Sequence, residues 1–356
     1  KMTKPWFKNL RQIEPYVPGE QSKNENIIKL NANENPYPPS PQVMQALREI
    51  RPENLSLYPN SNAQKLVDAI SQYHGVKSSQ VFVGNGSDDV IALSFMAFFN
   101  SDKPILFPDI TYSFYPVWCR LFNIPYETPK VDDNFKIIPS DYYKPNGGVI
   151  FPNPNAPTGI GEGKEFIKDI LNHNPDSIVI VDEAYVDFGC YSSIELLKEY
   201  DNLLVVQTFS KSRSMAGMRI GAAIGNEELI GVLNAVKNSY NSYTLDSVAI
   251  ECGSAAVNDD EYFKSTLLKI SSTRDRVSDI FKKMGFTVYP SQSNFIFVTK
   301  NDISAKALFE YLKSKNIFIR YFNLPRIDNH LRITIGTDEQ MDTLIKETKN
   351  YLNGVK

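Results

Sequence analysis

Thr208-Phe209-Ser210-Lys211-Ser212-Arg213-Ser214-Met215-Ala216-Gly217-Met218-Arg219-Ile220-Gly221 follows directly on the apolar run Leu203 to Val206 and Gln207. The stretch puts a lysine at the end of a buried strand, then a serine- and glycine-rich turn, then Arg219. A lysine in that position is costly unless chemistry uses it. Desolvation favours the neutral amine, and a neutral amine is a nucleophile suited to a Schiff base. A Ser-Lys pair alone is more often solvated surface, so the meaning of Lys211 depends on the rest of the chain.

Outward from that stretch, the same pattern repeats. Gln80–Val83 runs into Gly84-Asn85-Gly86-Ser87-Asp88, and Pro104–Phe107 into Pro108-Asp109-Ile110-Thr111-Tyr112. Gly148–Phe151 precedes Pro152 to Gly159, Ser177–Val181 precedes Asp182-Glu183-Ala184-Tyr185, and Leu203–Val206 leads to Ser210-Lys211. Short continuous apolar runs alternating with helical segments read as parallel strands buried on both faces. The fold class expected is therefore α/β, a doubly wound and mostly parallel sheet. Ligands of such sheets bind outside the carboxyl ends of the strands, so the polar loops should converge on one crevice.

The 356 residues are 42% hydrophobic and 22% charged, with a formal net charge of −3. This is ordinary globular composition, with enough length for one large core and a smaller domain. The mild acidity argues against a nucleic-acid partner. No apolar run reaches membrane-span length, no secretory h-region is read near Lys1-Met2-Thr3, and Lys1 ahead of Met2 reads as a cloning remnant. Cys119, Cys190 and Cys252 are scattered without a CxxC pattern, and read as free thiols of a reducing cytoplasm. His74, His173 and His330 show no metal-ligand spacing and no serine partner, so no metal is expected and hydrolase readings fall.

Ser40-Pro41 caps a helix through Val43, Leu47 and Ile50, and the alternating α/β region runs from about Asn62 to Gly225. Helices follow near Glu227–Lys237 and Leu245–Ala256, and a long charged one spans about Glu261 to Lys283. Then the pattern changes: runs at Phe286–Tyr289, Phe295–Val298, Ile317–Tyr321 and Leu331–Ile335 flank a helix from Ser304 to Lys315, with a last helix after Asp338. The expected division is an N-terminal segment, 1–35, packing on the small domain; a large domain, 36–260; and a small α+β domain, 261–356.

Several residues suggest chemistry directly. Gly84-Asn85-Gly86-Ser87-Asp88-Asp89 lies between a strand and a helix, where free amides and the helix dipole favour a phosphate, although Ser87 or Asp88 would also serve as a plain cap. Ser210 and Arg219 are further phosphate candidates, Arg219 with its two-pronged donor. Asp182 ends an apolar strand, and a carboxylate there needs a cation: a salt bridge, or a protonated ring nitrogen of a ligand. Tyr185 could reach the same ligand's phenolic oxygen. Tyr112 could stack on a planar ring, although for one tyrosine among 19 core packing is the commoner role.

With Leu30-Asn31-Ala32-Asn33-Glu34-Asn35-Pro36, Tyr58-Pro59, Thr111-Tyr112, Pro154 to Gly159 and Leu331-Arg332-Ile333-Thr334-Ile335-Gly336 added, the constellation resembles the fold type I pyridoxal-phosphate (PLP) enzymes. Among these it resembles the histidinol-phosphate aminotransferase family, in the family's order and over nearly the whole chain. The resemblance implies a fold type I PLP-transferase with Lys211 holding PLP, Asp182 pairing with the pyridinium nitrogen and Tyr185 bonding the ring oxygen. It implies Tyr112 stacked on the ring, the phosphate held by Ser87, Asp88, Ser210 and Arg219, and Tyr58 reaching the phosphate from the neighbouring subunit of a homodimer. Arg332 would grip a substrate carboxylate, while Arg320 and Tyr16 would hold the substrate's phosphate.

Two departures stand out. Related enzymes carry Asn-Pro-Thr-Gly where this chain has Ala156, so either Asn155 takes over at the ring oxygen or Tyr185 acts there more nearly alone; Arg213 and Ser214 stand where many relatives carry an apolar residue, a change that could alter the charge near the cofactor. The implied reaction converts histidinol phosphate and 2-oxoglutarate to imidazole acetol phosphate and glutamate. An aromatic amino acid aminotransferase, or a PLP enzyme akin to phosphothreonine decarboxylases, is the alternative.

Overall fold

The computed structural model describes residues 4–19 and 26–354. Its largest sheet has seven strands, in the order Val81–Gly84, Gly221–Gly225, Leu203–Thr208, Val179–Asp182, Gly148–Pro152, Ile105–Leu106 and Tyr126–Glu127. All neighbours pair in parallel except around Gly221–Gly225, which runs antiparallel to both Val81–Gly84 and Leu203–Thr208. The run ending at Val83 is thus joined to the other parallel strands only through an antiparallel strand not expected from sequence.

Both faces of this sheet are covered, which is why its strands are apolar without alternation. Val149, Val179, Val181 and Val205 point into one cluster with Leu66, Ile70 and Ile167. Ile150, Ile180, Leu204 and Val206 point into another with Val90, Leu93, Trp118 and Leu233. Successive residues of one strand therefore feed opposite cores, the doubly wound arrangement.

A second sheet of four strands, Arg320–Tyr321, His330–Thr334, Phe295–Thr299 and Thr287–Val288, is antiparallel throughout. It packs with helices Asp260–Lys283, Ala305–Ser314 and Asp338–Gly354 around Ile296, Val298, Leu331 and Ile333. The N-terminal segment joins this core: Ile28–Lys29 pairs in parallel with Ile317–Phe318, and Leu30 is buried there. Ser40 caps the helix Pro41–Glu49 by accepting from the Val43 amide at 3.3 Å. No helix among the described residues is long and apolar enough to cross a membrane.

Candidate active site

The loop between Val81–Gly84 and the helix Ser87–Phe98 leaves its first amides free, because the cap residue is Gly86, which has no side chain to bond them. Gly86 has φ +89°, and a Cβ there would lie 2.6 Å from Arg219 Nη2. A Cβ on Gly221 would lie 2.4 Å from the Ser87 amide nitrogen. The two glycines let a helix N-terminus, a strand end and a guanidinium meet in one cradle. Arg219 itself holds φ +54°, a left-handed conformation kept only where surrounding structure imposes it. That structure is the lysine stretch: Phe209 N–H donates to the Ile220 carbonyl and Met215 N–H to the Phe209 carbonyl, closing residues 209–220 into a compact excursion between two strands. Arg219 Nη1 reaches Ser210 Oγ at 3.4 Å across it.

Ser87, Asp88, Tyr112, Ala156, Asp182, Tyr185, Ser210, Lys211 and Arg219 line one cavity at the carboxyl ends of the strands. Lys211 Nζ donates to the Ala32 carbonyl at 3.1 Å and lies 5.7 Å from the Tyr185 ring centroid. Asp182 is 4% exposed and has no cationic partner among the described residues; Tyr115 Oη donates to its Oδ2 at 2.8 Å and the Ala184 amide to its Oδ1 at 3.2 Å. Burial pushes this carboxyl up to about 6 against those two bonds. Tyr115 is a site residue that sequence reading misses: only tertiary structure brings it under Asp182.

Arg332 and Arg320 are Cα partners on adjacent antiparallel strands, so both side chains leave the same face. No carboxylate pairs with either among the described residues. Arg332 Nη2 donates to the Asn31 carbonyl at 3.0 Å, while its buried Nε has no partner among the described residues. Burial depresses its pKa, with the Arg320 charge adding to that effect, and the Tyr185, Tyr16 and Tyr112 side chains lie within electrostatic range. Tyr16 stacks on Phe114 at 4.5 Å and lies 6.4 Å from Tyr112.

Some expected positions differ from the sequence reading. The Asp88 carboxylate accepts from Tyr112 Oη at 2.9 Å and faces Arg219 Nη2 at 3.4 Å, so only its backbone amide is suited to an anion. Asn155 turns its amide away from the cavity: Nδ2 donates to the Ile110 carbonyl at 2.9 Å and Oδ1 accepts from Thr111 Oγ1 at 2.8 Å. It braces the loop that carries Tyr112, and Ala156 lines the cavity instead. Arg213 packs its guanidinium 4.0 Å from the Phe263 ring centroid and donates to the Ala256 carbonyl, outside the cavity lining. Tyr58, expected to serve the neighbouring subunit and so no departure, is 82% exposed, stacked on Tyr243 at 4.5 Å, and does not line its own chain's cavity.

The cavity fits the cofactor that the resemblance implies. Its glycine cradle suits a phosphate, its buried carboxylate with no cationic partner among the described residues suits a protonated ring nitrogen, and Lys211 lines the same cavity. A family model described as aminotransferase class I and II matches residues 25–347. Histidinol-phosphate aminotransferase of Clostridium beijerinckii is 50% identical over 99% of this chain and 98% of its own length. That of Lactococcus lactis subsp. cremoris is 48% identical over 98% of each. Among solved structures, histidinol-phosphate aminotransferase of Sinorhizobium meliloti in complex with pyridoxal-5'-phosphate superposes with a TM-score of 0.84 at 22% identity, covering 92% of each chain.

Proposed function

This chain belongs to the aminotransferase class I and II family, and on that premise we propose that it transfers the amino group of histidinol phosphate to 2-oxoglutarate. It is a PLP-dependent transaminase. The observation that carries the substrate choice is the pair Arg320 and Arg332, side by side on one face with no carboxylate partner among the described residues. Two like charges held together call for a substrate with anions to match, and the near-full-length relatives act on such a substrate by name.

The amides at Ser87 and Asp88, with Ser210 and Arg219, would hold the cofactor phosphate; Lys211 would hold the cofactor covalently; Tyr112 would flank its ring. Bound there, PLP supplies an electron sink for the pair left on the substrate's α-carbon when the α-proton departs. Asp182 would keep a proton on the ring nitrogen, Tyr185 would donate to the ring oxygen, and Lys211 Nζ would take and return the α-proton. Residues 36–260 then supply the cofactor side, 261–356 the two arginines, and 1–35 the segment between them. Three unpaired cysteines fit a reducing cytoplasm.

Arg320 and Tyr16 would hold the phosphate of histidinol phosphate, and Arg332 the α-carboxylate of 2-oxoglutarate. Losing one charge-assisted bond costs about 1.5–3 kcal/mol, roughly ten- to a hundredfold in affinity. Arg320→Ala is expected to weaken histidinol phosphate by that factor while sparing phenylalanine, and Arg332→Ala to harm the 2-oxoglutarate half-reaction more than the histidinol-phosphate one. Steady-state comparison of histidinol phosphate, phenylalanine, tyrosine and threonine phosphate on the three proteins is the test. Equal losses for histidinol phosphate and phenylalanine in Arg320→Ala would contradict the phosphate-specific reading and leave a general aromatic aminotransferase.

We also propose a homodimer with shared sites, supported by Tyr58, whose exposed ring stacks on Tyr243 and shares a surface groove with exposed Leu55 and Leu57. Tyr58→Phe and Lys211→Ala subunits, each impaired alone, are expected to recover activity when mixed, since one site of the heterodimer then carries neither defect. Verified mixed dimers without recovery would mean that Tyr58 serves its own chain.

A further inference from the structure

The segment Leu30–Pro36 has no task assigned by the resemblance, and its contacts supply one. From Asn31 to Asn33 it touches three site side chains in succession. The Asn31 carbonyl accepts from Arg332 Nη2 at 3.0 Å and the Ala32 carbonyl from Lys211 Nζ at 3.1 Å. Asn33 then meets the Tyr185 phenol oxygen through its Nδ2 at 2.9 Å.

The direction of that last bond is set from behind. The Asn33 backbone N–H donates to Thr334 Oγ1 at 3.0 Å, which leaves the Thr334 proton for Asn33 Oδ1, also at 3.0 Å. An amide whose oxygen is taken by a hydroxyl proton presents its NH2 group to the next partner. The Tyr185 oxygen is therefore an acceptor toward Asn33, and its single proton is left for the cavity that Tyr185 lines. Asn33 is 1% exposed and Thr334 2%, so no water competes for these bonds and a broken chain would leave buried polar groups unpaired. Asn33 also holds φ +56°, which asparagine tolerates better than most side chains.

We infer that Asn33 is a positioning residue for the reaction: a directed chain from the Asn33 N–H through Thr334 and the Asn33 amide aims the Tyr185 hydroxyl proton into the cavity. This rests on the reading of Tyr185 as the donor to the cofactor's ring oxygen. A side chain on the segment that contacts Lys211 and Arg332 thereby also sets the electronics of the site.

The test compares wild type, Asn33→Gly, Tyr185→Phe and the double variant, each loaded with PLP. The readouts are the pH midpoint of the bound chromophore's visible absorbance and the PLP dissociation constant. Glycine retains access to the left-handed backbone and deletes only the amide. A hydroxyl donated to the ring oxygen stabilises the deprotonated chromophore, so Tyr185→Phe should raise the midpoint by about one pH unit, tenfold in proton affinity. Asn33→Gly should raise it in the same direction by less, and the double variant no further than Tyr185→Phe, because a residue acting through another is non-additive with it. PLP should dissociate more readily in the same order. Additive shifts, or a moved midpoint in Tyr185→Phe with none in Asn33→Gly, overturn the proposal and leave the site reading standing. No movement in Tyr185→Phe overturns that reading and the proposal with it. Should Asn33→Gly fail to fold, Thr334→Val removes the proton that orients the amide, and an unchanged midpoint there overturns the proposal equally.

Discussion

Lys211→Ala is expected to lose transamination by about four orders of magnitude, to the background of the assay, because general-base and covalent contributions vanish together. The same amine would anchor the cofactor and move the substrate's α-proton, and among the described residues no other lysine lines the cavity. The fold should survive. Among the described residues Lys211 Nζ hydrogen-bonds only the Ala32 carbonyl and makes no ion pair, so its removal leaves one carbonyl to solvent or a neighbour. Single-turnover assays with histidinol phosphate, alongside thermal unfolding, check both halves of the expectation. Retained turnover in a folded variant would move the base elsewhere.

Asp182→Asn is expected to slow the amino-donor half-reaction by about a hundred- to a thousandfold, the usual cost of removing one preorganised electrostatic partner. Its effect on the protein without cofactor should have the opposite sign. Burial raises the folded pKa of Asp182 from the ordinary 3.8 to about 6. Stability from the protonated form is therefore full below about pH 4 and is lost as pH rises through the folded pKa, a cost of roughly 2–3 kcal/mol at pH 7. Asparagine carries no such charge and keeps an oxygen for the Ala184 amide. The cofactor-free variant should therefore unfold at or above the wild-type temperature at pH 7, and any advantage should vanish near pH 4. A variant that is both less stable without cofactor and fully active would refute the assigned role on both counts.

Strands and site loops were legible where local chemistry is unusual. Ile178 to Val181 is apolar and β-branched, and a carboxylate directly after it is expensive without a purpose, so Asp182 stands out in sequence. Gly221–Gly225 is a strand of glycines and alanines with only Ile224 as a β-branched residue, so its pattern does not declare it; tight packing against Gly86 and Ser87 does. Asn155 illustrates the limit of register arguments: moved one place from the usual asparagine, it faces the loop, not the cavity. Arg213 reads as a charge near the cofactor, yet three aromatic rings, of Tyr73, Phe209 and Phe263, draw its guanidinium the other way. Tyr115 under Asp182 and Asn33 behind Tyr185 carry no local signature, because their partners stand 67 and 152 positions away.

The central claim, that this cavity holds PLP on Lys211, is tested most directly by borohydride reduction of the PLP-loaded protein followed by peptide mapping. The pyridoxyl label is expected on Lys211 alone, in the peptide running from the strand Leu203–Thr208 into the serine-rich turn. Label on another lysine, or none after saturation with PLP, would contradict it.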